Sequence, residues 1–246
     1  NHTESVMPKA FFIDTSRCTA CRGCQVACKE WHEHGVVPTL QRGTHQNPPE
    51  LTPTNFKIVH FDEHKIDGRI HWLFFPEQCR HCVNPPCKDF GDMYVPGAVI
   101  QDEATGAVLY TEKSKELTPE QAKDIKELCP YLVPRRDEKT GLLTKCDMCI
   151  DRVQAGMKPA CVKTCCTGTM NFGEREEMVA LARKSLEKAK KKHPQASLLD
   201  EDSVNVIYLI TQPRDKYFEH ASREITPLTR QAFLQKIIDP VRRMAG

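Results

Sequence analysis

The chain has 246 residues and a mass of 28.0 kDa, room for one or two domains at about 150 residues each. Apolar residues make up 39% and charged residues 28%, which allows a modest core, and no run approaches the ~20 apolar residues of a membrane helix. With 35 basic and 33 acidic residues the formal net charge is +2, too balanced for bulk electrostatic binding to nucleic acid or a membrane surface.

The first seventeen residues contain no charged segment followed by an apolar one and no twin arginine, so no export leader is expected there. The chain starts at Asn1 rather than Met, which leaves trimming open. Ala10-Phe11-Phe12-Ile13 reads as a strand entering the first cysteines. Residues 35–55, rich in Gly, Pro, Asn and Thr, predict a long loop. Phe56 to Phe61 and Ile70 to Phe75 alternate as strands do. A weak repeat then relates Asp102-Glu103-Ala104-Thr105-Gly106-Ala107-Val108 to Asp137-Glu138-Lys139-Thr140-Gly141-Leu142-Leu143. Each copy predicts a hairpin turn whose glycine takes positive φ, and together they point to a duplicated small β-rich unit.

After residue 173 the cysteines stop. Met178, Leu181, Ala182, Leu186 and Ala189 share one helical face. Glu174, Glu176 and Glu177 crowd the first turn and Lys188, Lys190, Lys191 and Lys192 the last, an order that suits the helix dipole. The lysines therefore read as a solvated helix end rather than a nucleic-acid patch. A strand at Val204 to Thr211 follows, then short helices at 213–222 and 226–238. Phe233, Leu234, Ile237 and Ile238 give the last an apolar face, for the core or for a partner.

The thirteen cysteines are the unusual feature. Their number is odd, and ten of them stand two or three residues from another, whereas disulfides spread their partners to close long loops. Metal ligation wants tight clusters instead. Cys18-x2-Cys21-x2-Cys24-x3-Cys28 is the most specific signal: three cysteines at this spacing can wrap three corners of a cubane cluster, while the fourth points to a different cluster. Structural zinc takes two CxxC-like pairs across a longer loop, which one unbroken run fits poorly. Cys79-x2-Cys82-x4-Cys87 supplies three ligands, with Gly91 where a fourth would fall. Cys129-Pro130 is a lone ferredoxin-type ending, and Cys146-x2-Cys149-x11-Cys161-x3-Cys165 is a run with an insertion.

These runs resemble the iron–sulfur electron-transfer subunits of molybdopterin oxidoreductases, which are built as two ferredoxin-like units. Cys18 to Trp31, His45 to Pro49, Trp72 to Cys82, Cys146 to Arg152 and Pro159 to Gly173 look most like the small (beta) subunit of soluble tungsten or molybdenum formate dehydrogenases. The likeness covers roughly residues 7–220. It implies an α+β fold of two interleaved units of the bacterial 2[4Fe-4S] type, with loop insertions and a C-terminal helical and strand extension. Residues 1–56 with 144–173 would hold two clusters, residues 57–143 one, and residues 174–246 would be the helix–strand–helix extension.

The family's ligand exchange, carried over residue by residue, implies three [4Fe-4S] clusters. Cys18, Cys21, Cys24 and Cys165 would hold the first; Cys146, Cys149, Cys161 and Cys28 the second; Cys79, Cys82, Cys87 and Cys129 the third. The ligands missing from the family pattern would all have served one further cluster, so a whole site is absent and no half-site remains. Cys166 stands where the family commonly has proline and is expected to be a buried free thiol, with an exchange of roles with Cys165 left open.

Arg22, Arg80, Lys145 and Lys163 flank ligating cysteines, either to favour the reduced state of a cluster or to form salt bridges at a subunit interface. His81, inside a cysteine loop, is a further tuning candidate; His32 and His34 are read as packing residues. No nucleophile–base pair or phosphate loop is present, so no active site is expected in this chain. The resemblance implies a relay from a catalytic subunit that oxidises formate at a tungsten or molybdenum pterin site. The clusters of the first and last runs would lie nearest that partner, and the Cys79 set would be the exit, toward a soluble acceptor such as a cytochrome c or a ferredoxin. It implies a heterodimer exported with its partner to the periplasm, the cytoplasm being the alternative. Two other functions stay open: the relay of another molybdopterin enzyme or of a hydrogenase, and a zinc-dependent structural or nucleic-acid module.

Overall fold

The computed structural model describes residues 8–221, which form a mixed α+β fold. In chain order its elements are β1 (Lys9–Asp14), α1 (Gly23–Trp31), β2 (Ile58–Ile66), β3 (Arg69–Glu77), α2 (Pro86–Tyr94), β4 (Val99–Gln101), β5 (Val108–Tyr110) and α3 (Pro119–Leu128). There follow β6 (Arg135–Arg136), β7 (Leu143–Thr144), α4 (Ile150–Gln154), α5 (Ala160–Thr164), β8 (Met170–Glu174), α6 (Arg175–Lys190), β9 (Ser197–Leu199) and β10 (Val206–Ile210).

The largest sheet has the order β8-β1-β10-β9. Its two central strands are apolar runs without polar alternation, as expected of strands covered on both faces. They pair in parallel, Phe11 opposite Val206 and Ile13 opposite Tyr208, while β8 and β9 flank them antiparallel. Successive side chains leave a strand on opposite sides. Phe11, Ile13, Val206, Tyr208 and Ile210 accordingly enter one core with Cys24 and Cys161, and Ala10, Phe12, Ile207 and Leu209 enter another with Met178 and Ala182 of α6 and with Cys79 and Cys82. Each fully buried Ile, Leu or Phe among them contributes about 1.5–3 kcal/mol. Both faces of one sheet thus carry cysteines. The strand expected from Val204 to Thr211 is β10, and it lies beside the first strand of the chain.

The two strands expected between 56 and 75 are longer than their apolar alternation and form one hairpin, closed by Asp67 and Gly68 with φ of 49° and 76°. The two halves of the weak repeat are equivalent turns. In β4–β5 the Asp102 N–H donates to Ala107 O at 2.8 Å and Gly106 N–H to Asp102 O at 2.7 Å; in β6–β7 Asp137 N–H donates to Leu142 O at 2.9 Å and Gly141 N–H to Asp137 O at 2.7 Å. Gly106 and Gly141 have φ of 72° and 75°.

Residues 35–55 hold no helix or named strand, as composition implied. The helix at 213–222 does not form. Two 3₁₀ turns, Arg214–Lys216 and Glu219–Ala221, stand there instead, because Tyr217 turns its ring into the core and accepts the Thr211 N–H at 3.2 Å. Residue 222 and the helix expected at 226–238, with Phe233, Leu234, Ile237 and Ile238, lie outside the described residues. Helices α1, α2 and α3 were not anticipated. For α3 the signal was present: Thr118 accepts the Gln121 N–H at 3.2 Å, Gln121 accepts the Thr118 N–H at 2.9 Å, and Pro119 follows.

A third core, built from Phe90, Val99, Val108, Leu117, Ile125 and Leu143, fills the space between α2 and α3. Gly91 sits against it, and a Cβ there would stand 2.5 Å from Val99 Cγ2. Gly91→Ala gains about 1 kcal/mol of helix propensity but overpacks a stiff, buried valine at about 1–3 kcal/mol. We expect a net loss of stability in denaturant unfolding relative to Gly35→Ala, where a Cβ meets nothing within 4 Å.

Candidate metal centres

Each cysteine run leaves a strand or hairpin and enters a short helix. Cys18 follows the 3₁₀ turn after β1, Cys21 lies in the next loop, and Cys24 and Cys28 stand one turn apart on α1. Cys79 and Cys82 follow β3, and Cys87 is in the first turn of α2. Cys129 ends α3; Cys146 and Cys149 precede α4; Cys161 lies on α5 and Cys165 ends it.

The loops between these cysteines are locally strained. Among the described residues nine non-glycine residues have positive φ, and six of them are in the cysteine loops: Ala20, Arg22, His81, Leu132, Met148 and Cys149. Such turns aim consecutive backbone N–H groups into one concavity, a geometry that receives anions and iron–sulfur clusters. The N–H of His81 donates to Cys79 Sγ at 3.4 Å.

The structure brings Cys79, Cys82, Cys87 and Cys129 around a single cavity. The other cysteines meet across the chain: Cys18 adjoins Cys21 and Cys165, Cys24 adjoins Cys18 and Cys165, and Cys28 adjoins Cys149 and Cys161. Cys146 adjoins Cys28 and Cys149. Further neighbours link the sets, Cys24 with Cys161 and Cys146 with Cys79. Contacts between α1 and the Cys146 loop hold these two distant segments together. His32 Nε2 lies 2.9 Å from Asp147 Oδ1, Trp31 Nε1 donates to Asp151 Oδ2 at 3.0 Å, and the Arg152 guanidinium lies 4.1 Å from the Trp31 ring centre. Asp147 also accepts the Cys149 N–H at 2.8 Å, so the grouping of His32, Asp147 and Cys149 braces the loop.

Burial pushes the Cys24, Cys87 and Cys149 thiols up to about 12 and Cys129 to about 11. Cys28, Cys82 and Cys146 rise well above the ordinary thiol value for the same reason. Ionising several such neighbours together is costly unless a metal takes the place of the protons. The donor set therefore fits an iron–sulfur group.

Cys165 is the exception. Burial raises its pKa, but N–H groups of Met170, Thr169 and Thr167 and the Thr167 hydroxyl outweigh that and hold it below the ordinary value. Cys166 is exposed, not buried as expected, because it lies beyond the end of α5 where the chain turns outward. Its thiol pKa is raised, chiefly by the neighbouring Cys21.

Buried cations line the centres. Arg80 is 2% exposed and lies over three rings, 4.4 Å from Tyr208, 4.7 Å from Tyr131 and 5.1 Å from Phe75. Its Nη1 donates to Gln78 O at 2.7 Å, and it forms part of the wall of the four-thiol cavity. Lys145 lines the same cavity, donating to Cys146 O at 2.9 Å and to Val108 O. The other candidates play different parts. Arg22 anchors the loop at His45 O, and Lys163 is exposed. The His81 ring accepts the Val108 N–H at 3.0 Å, and burial, with Lys145, holds it well below the ordinary histidine value and so neutral. Two residues escaped the sequence reading. Tyr110 lines the four-thiol cavity, and Lys57, far from every cysteine in sequence, is buried at the edge of the core that holds Cys24 and Cys161, sharing the Pro76 O acceptor with Tyr208. Nothing in the run spacing signals either one.

Grouped buried thiols, left-handed loops and interior cations define an iron–sulfur protein. Residues 70–175 match the family model described as a 4Fe-4S dicluster domain. The chain is 61% identical over 216 residues to formate dehydrogenase 2 subunit beta (cytochrome c-553) of Nitratidesulfovibrio vulgaris, covering 87% of this chain and 99% of that protein. It is 51% identical over 215 residues to the formate dehydrogenase subunit beta of Megalodesulfovibrio gigas, again 87% and 99%. To the nitrate-inducible formate dehydrogenase iron–sulfur subunit of Escherichia coli it is 34% identical over 181 residues, 74% of this chain and 59% of that one. The chain belongs to the family of formate dehydrogenase beta, or iron–sulfur, subunits.

The hydrogen bonds at Cys165 favour its thiolate over that of Cys166. Cys165→Ala is expected to remove about four irons per chain, one cubane, and Cys166→Ala none. Iron and acid-labile sulfide analysis separates the two, and loss of iron on the Cys166 change alone would give that residue the ligand's place.

Proposed function

We propose that this chain is the electron relay of a formate dehydrogenase complex and holds three [4Fe-4S] clusters. Cys18, Cys21, Cys24 and Cys165 hold the first, Cys28, Cys146, Cys149 and Cys161 the second, and Cys79, Cys82, Cys87 and Cys129 the third. Each cluster, when bound, takes up and releases one electron at a time. The chain holds the sites in series, excludes water from them and supplies the charges that balance them. The observation that carries this reading is the convergence of four thiols from two distant segments on one cavity walled by Arg80 and Lys145.

The series supports a relay. Cys24 of the first set and Cys161 of the second share one core, and Cys146 of the second packs against the core that holds Cys79 of the third. Its two ends are therefore the Cys18 set and the Cys79 set. The arrangement suits two interleaved ferredoxin-like units, 1–56 with 144–173 and 57–143, with 174–246 as an extension whose strand β10 completes the central sheet. The catalytic partner is a subunit with a tungsten or molybdenum pterin site, which with this chain forms a heterodimer in the periplasm. No helix among the described residues is long and apolar enough to cross a membrane. A soluble acceptor fits, and the cytochrome c-553 in the name of the Nitratidesulfovibrio vulgaris relative suggests a cytochrome c.

Two measurements test the reading. The purified complex should be brown and carry about twelve irons in this chain, four for each cubane; a colourless chain containing zinc sinks it. Cys129→Ser should abolish the paramagnetic signal of one reduced cluster and spare the other two. All three signals surviving would refute the third ligand set.

A further inference from the structure

Lys57 precedes β2 at the foot of the long hairpin and is 2% exposed. Its Nζ donates to Pro76 O at 3.3 Å and to Gln78 Oε1, both neutral acceptors. Among the described residues it forms no ion pair with a carboxylate. The acidic side chain closest in sequence to those acceptors, Glu77, is engaged with His60 at 2.6 Å. A charged lysine is almost never fully buried unless something pairs with it.

Lys57 Nζ shares the Pro76 O acceptor with the Tyr208 hydroxyl, and Tyr208 packs in one core with Cys24 of the first set and Cys161 of the second. Burial works against its charge, but Cys24, Cys161 and Cys146, with Tyr208, hold its pKa above the ordinary lysine value. The relation is mutual: Lys57 acts on the Cys18, Cys24, Cys28 and Cys161 thiols, which come from two distant segments of the chain. The third set is served by other cations, Arg80 acting on Cys82 and Cys129 and Lys145 on Cys87.

We propose that Lys57 is the shared buried counter-charge of the first and second clusters, raising the reduction potential of both and leaving the third to Arg80 and Lys145. This rests on the relay reading above. Reduction adds one negative charge to a cluster, and a fixed ammonium in a low-dielectric interior favours the state with more negative charge. Because the same cation faces both sets, the two potentials move together. A purely structural lysine, tying the hairpin to Pro76 and Gln78, needs only its donors and not its charge.

The test is a redox titration of the anaerobically purified complex, followed by paramagnetic resonance. In Lys57→Met the reduced-to-oxidised ratio of two clusters at fixed ambient potential should fall about tenfold, a shift of about 59 mV for a one-electron couple. The third cluster should be unmoved, and Lys57→Arg should restore the ratios. Should the methionine variant not accumulate, Lys57→Gln, which keeps a donor but no charge, is read in the same way. Unchanged potentials, equal shifts in all three clusters, or an arginine variant that behaves like the neutral one would overturn the proposal. A wild-type complex with fewer than three clusters would instead overturn the relay reading itself, so the two failures are distinguishable.

Discussion

Negative charge buried beside apolar side chains is the constraint to which the rest of this structure answers. Most of the cysteine sulfurs lie in or against three hydrophobic cores, where burial raises many of the thiols far above their ordinary pKa. Holding them ionised on a metal requires compensation at short range. Lys57, Arg80 and Lys145 provide it as interior cations fixed to backbone carbonyls, side-chain amide oxygen and aromatic rings rather than to carboxylates. A carboxylate partner would cancel the field each cation exerts on its neighbours. Backbone N–H groups in the left-handed loops add to that field without bringing a net charge.

The same need explains how distant segments come to lie together. A parallel pair of strands, β1 and β10, brings the first and last described parts of the chain side by side. From that base α1 leans on the Cys146 loop through His32 and Trp31. Cys28 thereby falls among cysteines more than a hundred positions later, and Cys165 returns to the first loop. The proposed long-range ligand exchange would be a packing result: a helix following a cysteine loop carries its last cysteine away from that loop and toward the neighbouring one.

Around Gly91 the interior is built mainly of apolar side chains, with Cys87 at its edge. Val99 occupies the space into which a larger side chain at 91 would project, and α3, with its capping box, closes the region over leucine, isoleucine and phenylalanine. An apolar core there is self-sufficient, and the remaining member of that part of the chain, Cys129, turns instead to the cavity shared with α2.

The sequence by itself determined the local chemistry. Cysteine spacing, two Asp-to-Gly turns, the polar loop at 35–55 and the amphipathic α6 depend on neighbours within a few residues, and each was legible for that reason. The capping box of α3 was equally legible and was missed. Burial was not legible: Cys166 is exposed, and the stretch after Pro213 turns instead of forming a helix, because each outcome depends on what packs against it. Lys57 is the clearest case. Nothing within twenty residues of it in sequence marks it as a partner of Cys24 and Cys161, since a charge acts through space. Only the tertiary structure decided which cation meets which thiol.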